Sequence, residues 1–303
     1  MAGNIEVEIA GIRFRNPLML ASGVVGSNIN LLKRAWEAGA GAIVTKTYTV
    51  EKRQGNVTPI IVGLPYGYIN AVGLENPGIE HIEQTVKSLK KHDARIIVSI
   101  TGRKVEDFVT LAKKCESTGA DAIEINMSCP HVKGMGLEIG MDREVVIRII
   151  KAVKKSVNIP IFPKFGYTPR ILDILKQAEI AGADAIVLIN TIRSMRIDIW
   201  IKKPVLSNKY GGLSGPAIHP IAVACVYQAY RELEIPIIAS GGVWTWKDVI
   251  EFMLAGANAV QVGSVIAEKG IEVFKEIIDG IKKYLATNNH NSIEEIIGLA
   301  HEE

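Results

Sequence analysis

Four stretches share one pattern: Ala38-Gly39-Ala40-Gly41-Ala42-Ile43, Thr118-Gly119-Ala120-Asp121-Ala122-Ile123, Ala181-Gly182-Ala183-Asp184-Ala185-Ile186 and Ala255-Gly256-Ala257-Asn258-Ala259-Val260. In each, an amphipathic segment precedes a glycine suited to the left-handed backbone that ends a helix, and small residues lead into a β-branched run. This is how a helix hands over to a buried parallel strand. Apolar runs of a second kind alternate with these junctions: Arg95 to Ile100 (RIIVSI), Ile159 to Phe165 (IPIFPKF) and Ile235 to Gly242 (IPIIASGG), with Leu18 to Gly23 (LMLASG) opening the series. Eight such strands separated by helix-length segments imply parallel strands joined by right-handed crossovers. The expected fold is α/β, a closed (β/α)8 TIM barrel forming one domain over residues 1–303. The open doubly wound alternative lacks a Gly-x-Gly-x-x-Gly turn after its first strand.

Before the first barrel strand, IEVEIAG and IRFRNP alternate around Ala10-Gly11 like a small hairpin flanking the barrel bottom. Two connections, Tyr48 to Gly78 and Ile192 to Gly215, are too long for turns and follow strand C-terminal ends, the face where barrels carry their sites. They are read as covering loops. The tail from Thr287 to Glu303 reads as a turn plus a short peripheral helix.

With 303 residues and 48% hydrophobic content the chain can bury one large core. A net charge of +3, from 35 basic and 32 acidic residues spread along the sequence, leaves no footprint for nucleic acid. No apolar window has membrane-spanning length and the N-terminus lacks a basic region followed by an apolar one, so a cytoplasmic protein is expected. Cys115, Cys129 and Cys225 are too widely spaced for a disulfide framework or a metal site. No metal site is expected, and any iron–sulfur cluster would sit on another chain.

The strand ends collect Ser22, Lys46, Ser99, Asn126, Lys164, Asn190, Gly241 and Gly263 at one rim. Two lysines at the ends of apolar strands face a restricted space, where anionic ligands would offset the cost of burying an ammonium. Ser240-Gly241-Gly242 and Gln261-Val262-Gly263-Ser264 end the last two strands and lead toward helices, a setting for phosphate; either pair alone would read as strand termination. Cys129, in Asn126-Met127-Ser128-Cys129-Pro130-His131, lies just past a strand at the barrel mouth, placed for a base or nucleophile if its surroundings lower its pKa. Cys115 and Cys225 lie in amphipathic helical patterns and read as small buried hydrophobes. Asn70, Asn126 and Asn190 offer the donor and acceptor set that a planar imide needs, or else cap turns, the common job of Asn.

These motifs resemble the class 1 dihydroorotate dehydrogenases, from Asn16-Pro17 to about Ala267. The resemblance rests on ASG at Ala21 to Gly23, TKT at Thr45 to Thr47, NAVGLENPG at Asn70 to Gly78, NMSCP at Asn126 to Pro130, the MRIDI and KKPVLSN segments, GGLSGPAIHP at Gly211 to Pro220, and the final SGG and QVGS. It implies FMN contacts from Ser22, Lys46, Thr47, Ser99, Asn126, Lys164, Ile189, Gly215, Gly241, Gly242, Gly263 and Ser264. It puts dihydroorotate or orotate at Lys46, Asn70, Ala71, Val72, Gly73, Leu74, Asn126, Asn190 and Thr191. Cys129 is implied as the base that takes a proton from carbon 5 as hydride leaves carbon 6 for the flavin, with Lys46 stabilising negative charge.

Two positions depart from the family pattern: Ser99 stands where Asn is frequent, and His131 follows Cys129-Pro130 where Asn is usual. His131 with Gly134-Met135-Gly136-Leu137 resembles the pyrimidine-reducing domain of dihydropyrimidine dehydrogenases, a sister family. The MRIDI and KKPVLSN segments resemble the NAD-linked dihydroorotate type, which implies a separate FAD and iron–sulfur subunit and a homodimeric core. Fumarate or a quinone is the alternative acceptor. A lyase or isomerase barrel would share the phosphate glycines and rim lysines but has no use for three amides around a cysteine. A non-catalytic binding subunit is the remaining reading.

Overall fold

The computed structural model describes residues 3–128, 140 and 142–302. In chain order the strands are β1 (Val7–Ile9), β2 (Ile12–Phe14), β3 (Leu18–Leu20), β4 (Ala42–Val44), β5 (Ile61–Leu64), β6 (Gly67–Asn70), β7 (Ile96–Ile100), β8 (Ala122–Asn126), β9 (Ile161–Phe165), β10 (Ile186–Leu188), β11 (Ile192–Ser194), β12 (Ile197–Asp198), β13 (Lys203–Pro204), β14 (Gly211–Ser214), β15 (Ile237–Ser240) and β16 (Ala259–Val262). The main helices are α1 (Ile29–Glu37), α2 (His81–Lys90), α3 (Val105–Ser117), α4 (Arg143–Ser156), α5 (Ile171–Ile180), α6 (His219–Tyr230), α7 (Trp246–Leu254), α8 (Val265–Lys269) and α9 (Val273–Thr287).

Eight parallel strands close into a barrel in the order β10-β15-β16-β3-β4-β7-β8-β9, as the alternation of junctions and apolar runs requires. The strands are buried along their whole length, which explains their Ile- and Val-rich runs. The helices pack through one stripe. In α4 the buried residues are Val146, Ile149, Ile150 and Val153, spaced i, i+3, i+4 and i+7, and Asp142 caps its first turn by accepting from the Glu144 and Val145 amides.

The repeated junction has a chemical reason. The first glycine of each copy has positive φ: 113° at Gly39, 86° at Gly119, 104° at Gly182 and 109° at Gly256. Two residues on, Asp121, Asp184 and Asn258 each donate a backbone N–H to the first residue of the preceding barrel strand, at Ile96, Ile161 and Ile237 (2.9, 3.0 and 2.8 Å). Their side-chain oxygens accept the N–H of those same residues at 2.7, 2.9 and 2.9 Å. The first junction has Gly41 there; its amide bonds to Leu18. Asn16 Oδ1 accepts the Leu18 N–H instead, at 3.0 Å. A Cβ on Gly41 would stand 2.2 Å from the Asn16 carbonyl, so one position has traded its side chain for the other. Four of the eight neighbouring pairs, β3–β4, β7–β8, β9–β10 and β15–β16, are thereby fixed at the bottom of the barrel.

The hairpin expected at Ala10-Gly11 is present. Both residues have positive φ (51° and 77°), as a two-residue turn of this hand requires, and Phe14 is buried against the barrel. The tail differs from expectation. It forms two 3-10 turns, Ile293–Ile296 and Leu299–His301, and Ile293 and Ile296 are fully buried, because the segment is tied to Asn4 and to the carbonyl of Met253.

The two long connections meet above the barrel. β6 pairs with β14 in an antiparallel sheet of order β11-β14-β6-β5, and β12–β13 form a separate hairpin beyond it. That hairpin carries Ile199, Trp200 and Ile201 at 72%, 87% and 67% exposure. Among the described residues no helix is long and apolar enough to cross a membrane.

The junction bonds are open to a direct test. Asn258→Ala leaves the buried Ile237 amide without its side-chain acceptor and should cost ~1–3 kcal/mol in urea denaturation. No loss would mean that the backbone bond alone holds the strand pair.

Candidate functional site

A cavity of about 330 Å3 opens at the C-terminal ends of the barrel strands, between the rim and the small sheet. Ser22, Lys46, Thr47, Asn126, Lys164, Ile189, Gly241, Gly242, Gly263 and Ser264 line it, and so do Asn70, Val72, Gly73, Leu74, Asn190 and Thr191. Three expected residues do not. Ser99 is fully buried beneath the wall. Ala71 packs under the sheet with Ile69 and Leu206. Gly215 lies against Gly67, where a Cβ would come within 2.6 Å of its Cα, so its freedom serves the sheet. Cys129, Pro130, His131 and Gly134 to Leu137 lie outside the described residues.

Two groups that the rim pattern missed sit on the cavity floor, Glu124 and Gln261. Gln261 is the one polar side chain of β16, and Glu124 is a charged residue between Ile123 and Ile125 in the middle of β8; that is the signal the sequence offers. Glu124 is fully buried and accepts from Ser99 Oγ at 3.0 Å and from Gln261 Nε2 at 2.7 Å. Lys164 donates from Nζ to Gln261 Oε1 at 2.5 Å and lies 3.9 Å from the Glu124 carboxylate. Burial pulls the Lys164 ammonium below its ordinary pKa, while Glu124 pulls it back up. From Ser99 the chain runs on to Thr47 Oγ1 at 2.9 Å, which also meets Ser22 Oγ at 3.2 Å and receives Asn126 Nδ2 at 3.1 Å.

The amides expected around an imide divide between two jobs. Asn126 Oδ1 accepts from the Ser128 amide at 3.1 Å and from Ser128 Oγ at 2.9 Å, and Asn190 Nδ2 donates to that same oxygen of Ser128 at 2.7 Å. Both therefore hold the residue that precedes Cys129 while facing the cavity. Asn70 donates only a long bond, 3.4 Å, to the Gly212 carbonyl. Gly73 and Leu74 turn their segment at positive φ, 84° and 59°. Asn76, also missed, fixes that turn by accepting from the Thr49 and Gly78 amides and donating to the Leu74 carbonyl at 2.8 Å.

At the ends of β15 and β16 the glycines make a cradle. Gly241 and Gly242 have φ of 128° and 77°. A Cβ on Gly242 would lie 2.6 Å from that of His219. The His219 ring supports this loop from below, between the Gly241 carbonyl (3.3 Å) and Glu251 Oε2 (3.0 Å). Gly263 and Ser264 lead directly into α8, whereas Gly242 reaches α7 through three further residues.

This geometry defines a barrel enzyme whose rim suits a flat, phosphorylated ligand, with glycines for the phosphate and a buried ammonium on the floor. The family described as dihydroorotate dehydrogenase matches residues 4–285. The chain is 49% identical over 300 residues to the dihydroorotate dehydrogenase B (NAD(+)) catalytic subunit of Pyrococcus furiosus, covering 98% of this chain and 99% of that one. It is 45% identical over 305 residues to the protein of the same description from Methanocaldococcus jannaschii, covering 98% of each. The chain belongs to the dihydroorotate dehydrogenase family, which consists of oxidoreductases and is flavin-dependent in general.

Cys115 and Cys225 are the buried thiols that their helical patterns implied. Burial raises both, Cys225 to about 11 and Cys115 further. Below that range each stays a protonated thiol, so a disulfide reagent at pH 8 should leave both unmodified in the folded protein, as read by peptide mapping. Labelling of either at a rate near that in denaturant would contradict their placement.

Proposed function

We propose that this chain oxidises dihydroorotate to orotate in pyrimidine biosynthesis with FMN as its cofactor and Cys129 as its base. The observation that carries the reading is the cavity itself, where the glycine cradle, the Lys164 floor and the amide-rich wall occupy one rim. The donor set fits FMN: Gly241, Gly242, Gly263 and Ser264 would hold its phosphate, Lys164 and Asn126 would meet the polar edge of its ring, and Ser22 and Thr47 would line its side. Bound FMN supplies the two-electron acceptor that no side chain provides.

The chain's own residues do the rest. Asn70, Asn190 and the backbone from Val72 to Leu74 orient the pyrimidine ring, with Thr191 beside them and Lys46 set against the substrate's negative charge. Cys129 removes the proton from carbon 5, and its predecessor Ser128 is anchored by Asn126 and Asn190. The small sheet covers the cavity and keeps water out. The relatives are described as catalytic subunits, which implies a partner subunit. That partner would carry FAD and an iron–sulfur cluster and pass electrons to NAD, since this chain's three cysteines are too dispersed for a cluster. The setting is cytoplasmic.

Anaerobic addition of dihydroorotate should bleach the flavin band of the purified protein, and dihydrouracil should not. Bleaching by dihydrouracil alone would favour the uracil-reducing alternative, and a protein unable to take up FMN would end the reading. Cys129→Ala should keep its flavin while the rate of bleaching falls ~10²–10⁴-fold; an unchanged rate would remove Cys129 as the base.

A homodimeric core is also inferred, built on the exposed β12–β13 hairpin. Ile197, Ile199, Trp200 and Ile201 make an apolar surface of the kind that marks association sites. In sedimentation, Trp200→Glu should convert a dimer to a monomer; a dimer that persists would place the contact elsewhere.

A further inference from the structure

The hydrogen bonds beneath the cavity have a single direction. Glu124 can only accept as a carboxylate, so Ser99 must spend its one proton on it. Ser99 Oγ then accepts from Thr47, and Thr47 in turn accepts from Ser22 and from Asn126 Nδ2. On the other side the Gln261 amide is oriented by the same anion: its nitrogen donates to Glu124 and its oxygen therefore faces Lys164. Six side chains from different strand ends thus point their protons toward one fully buried carboxylate. A buried anion of this kind persists where it is hydrogen-bonded and faced by a cation, and Lys164 is the cation here.

We infer that Glu124 is a positioning residue that, through Gln261, aims the Lys164 ammonium into the cavity and offsets its charge, so setting the electrostatic field under the flavin and hence its reduction potential. This rests on the reading of the cavity as an FMN site. Glu124, Gln261 and Lys164 share the cavity floor, so a charge change there acts on the ring from below, away from the glycine cradle. Burial pulls the Lys164 ammonium below its ordinary pKa and the Glu124 carboxylate 3.9 Å away pulls it back up, so the two charges act on each other directly.

Glu124→Gln is the test, because the amide can fit. Its oxygen can accept from Gln261 and its nitrogen can donate to Ser99, whose proton then turns to Thr47, with the Thr47 proton turning to Ser22. The variant should bind FMN and show a midpoint potential higher than the parent. Sulfite, which adds to flavins made electron-poor by nearby positive charge, should bind about tenfold tighter, the scale of a one-unit electrostatic effect. Glu124→Asp keeps the charge but withdraws it by one methylene, so its potential should lie between the two, and it carries the test if the Gln variant does not fold. Flavin-loaded variants whose potential and sulfite affinity match the parent would overturn the inference. Failure of the parent itself to bind FMN would instead overturn the functional reading beneath it.

Discussion

The paired bond at the foot of each junction is the constraint on which the site depends. A parallel strand that slips by one residue turns every side chain to the opposite face. In three of the four junctions the residue after Gly-Ala fixes the first residue of the neighbouring strand through both its amide and its side chain, and in the fourth Gly41 gives the amide while Asn16 gives the side-chain acceptor. Four strand pairs are thereby held in register, and around this half of the barrel each strand steps by one residue against the next, so that the short strands bring their C-terminal ends to one face. That is why Ser22, Lys46, Asn126, Lys164, Gly241 and Gly263 arrive around one cavity from six different strands.

Register also decides what is inside. Ser99, Glu124 and Gln261 occupy strands that are otherwise apolar, and each points into the region beneath the cavity, not into the helix layer. Three polar groups in a barrel interior would be costly singly. They coexist because Glu124 accepts from both of the others and Lys164 faces it across 3.9 Å, so the polar centre is closed on itself and the surrounding core remains apolar.

Much of this was legible in the sequence, and the reasons for the exceptions are physical. The barrel was readable because its junctions repeat and each states a local requirement for positive φ and close packing. The four-stranded sheet above it was not: β6 and β14 pair across segments that carry no mutual signal, and Gly212 meets Asn70 only once the barrel has brought the two connections together. The rim residues were found by their place at strand ends, which is also why Ser99 was taken for a wall residue; it lies one step too deep. Glu124 and Gln261 are visible as polar letters inside AIEIN and AVQV, but their meaning appears only when β8 and β16 are seen to face each other across the barrel.

Charge supplies the last step. The whole chain carries only +3, which says little about its ligands. Among the described residues the charged side chains on the cavity wall are Lys46, Lys164 and Glu124, and Glu124 is committed to the floor. Lys164 is thereby joined to the buried carboxylate through Gln261, and charges at that buried floor interact through a lower dielectric than in water. On the function proposed above, the carboxylate of dihydroorotate would lie toward Lys46, and neutral dihydrouracil brings no such group. On that reading, discrimination between the two pyrimidines would draw on the charge at Lys46 as well as on the amides that both rings could satisfy.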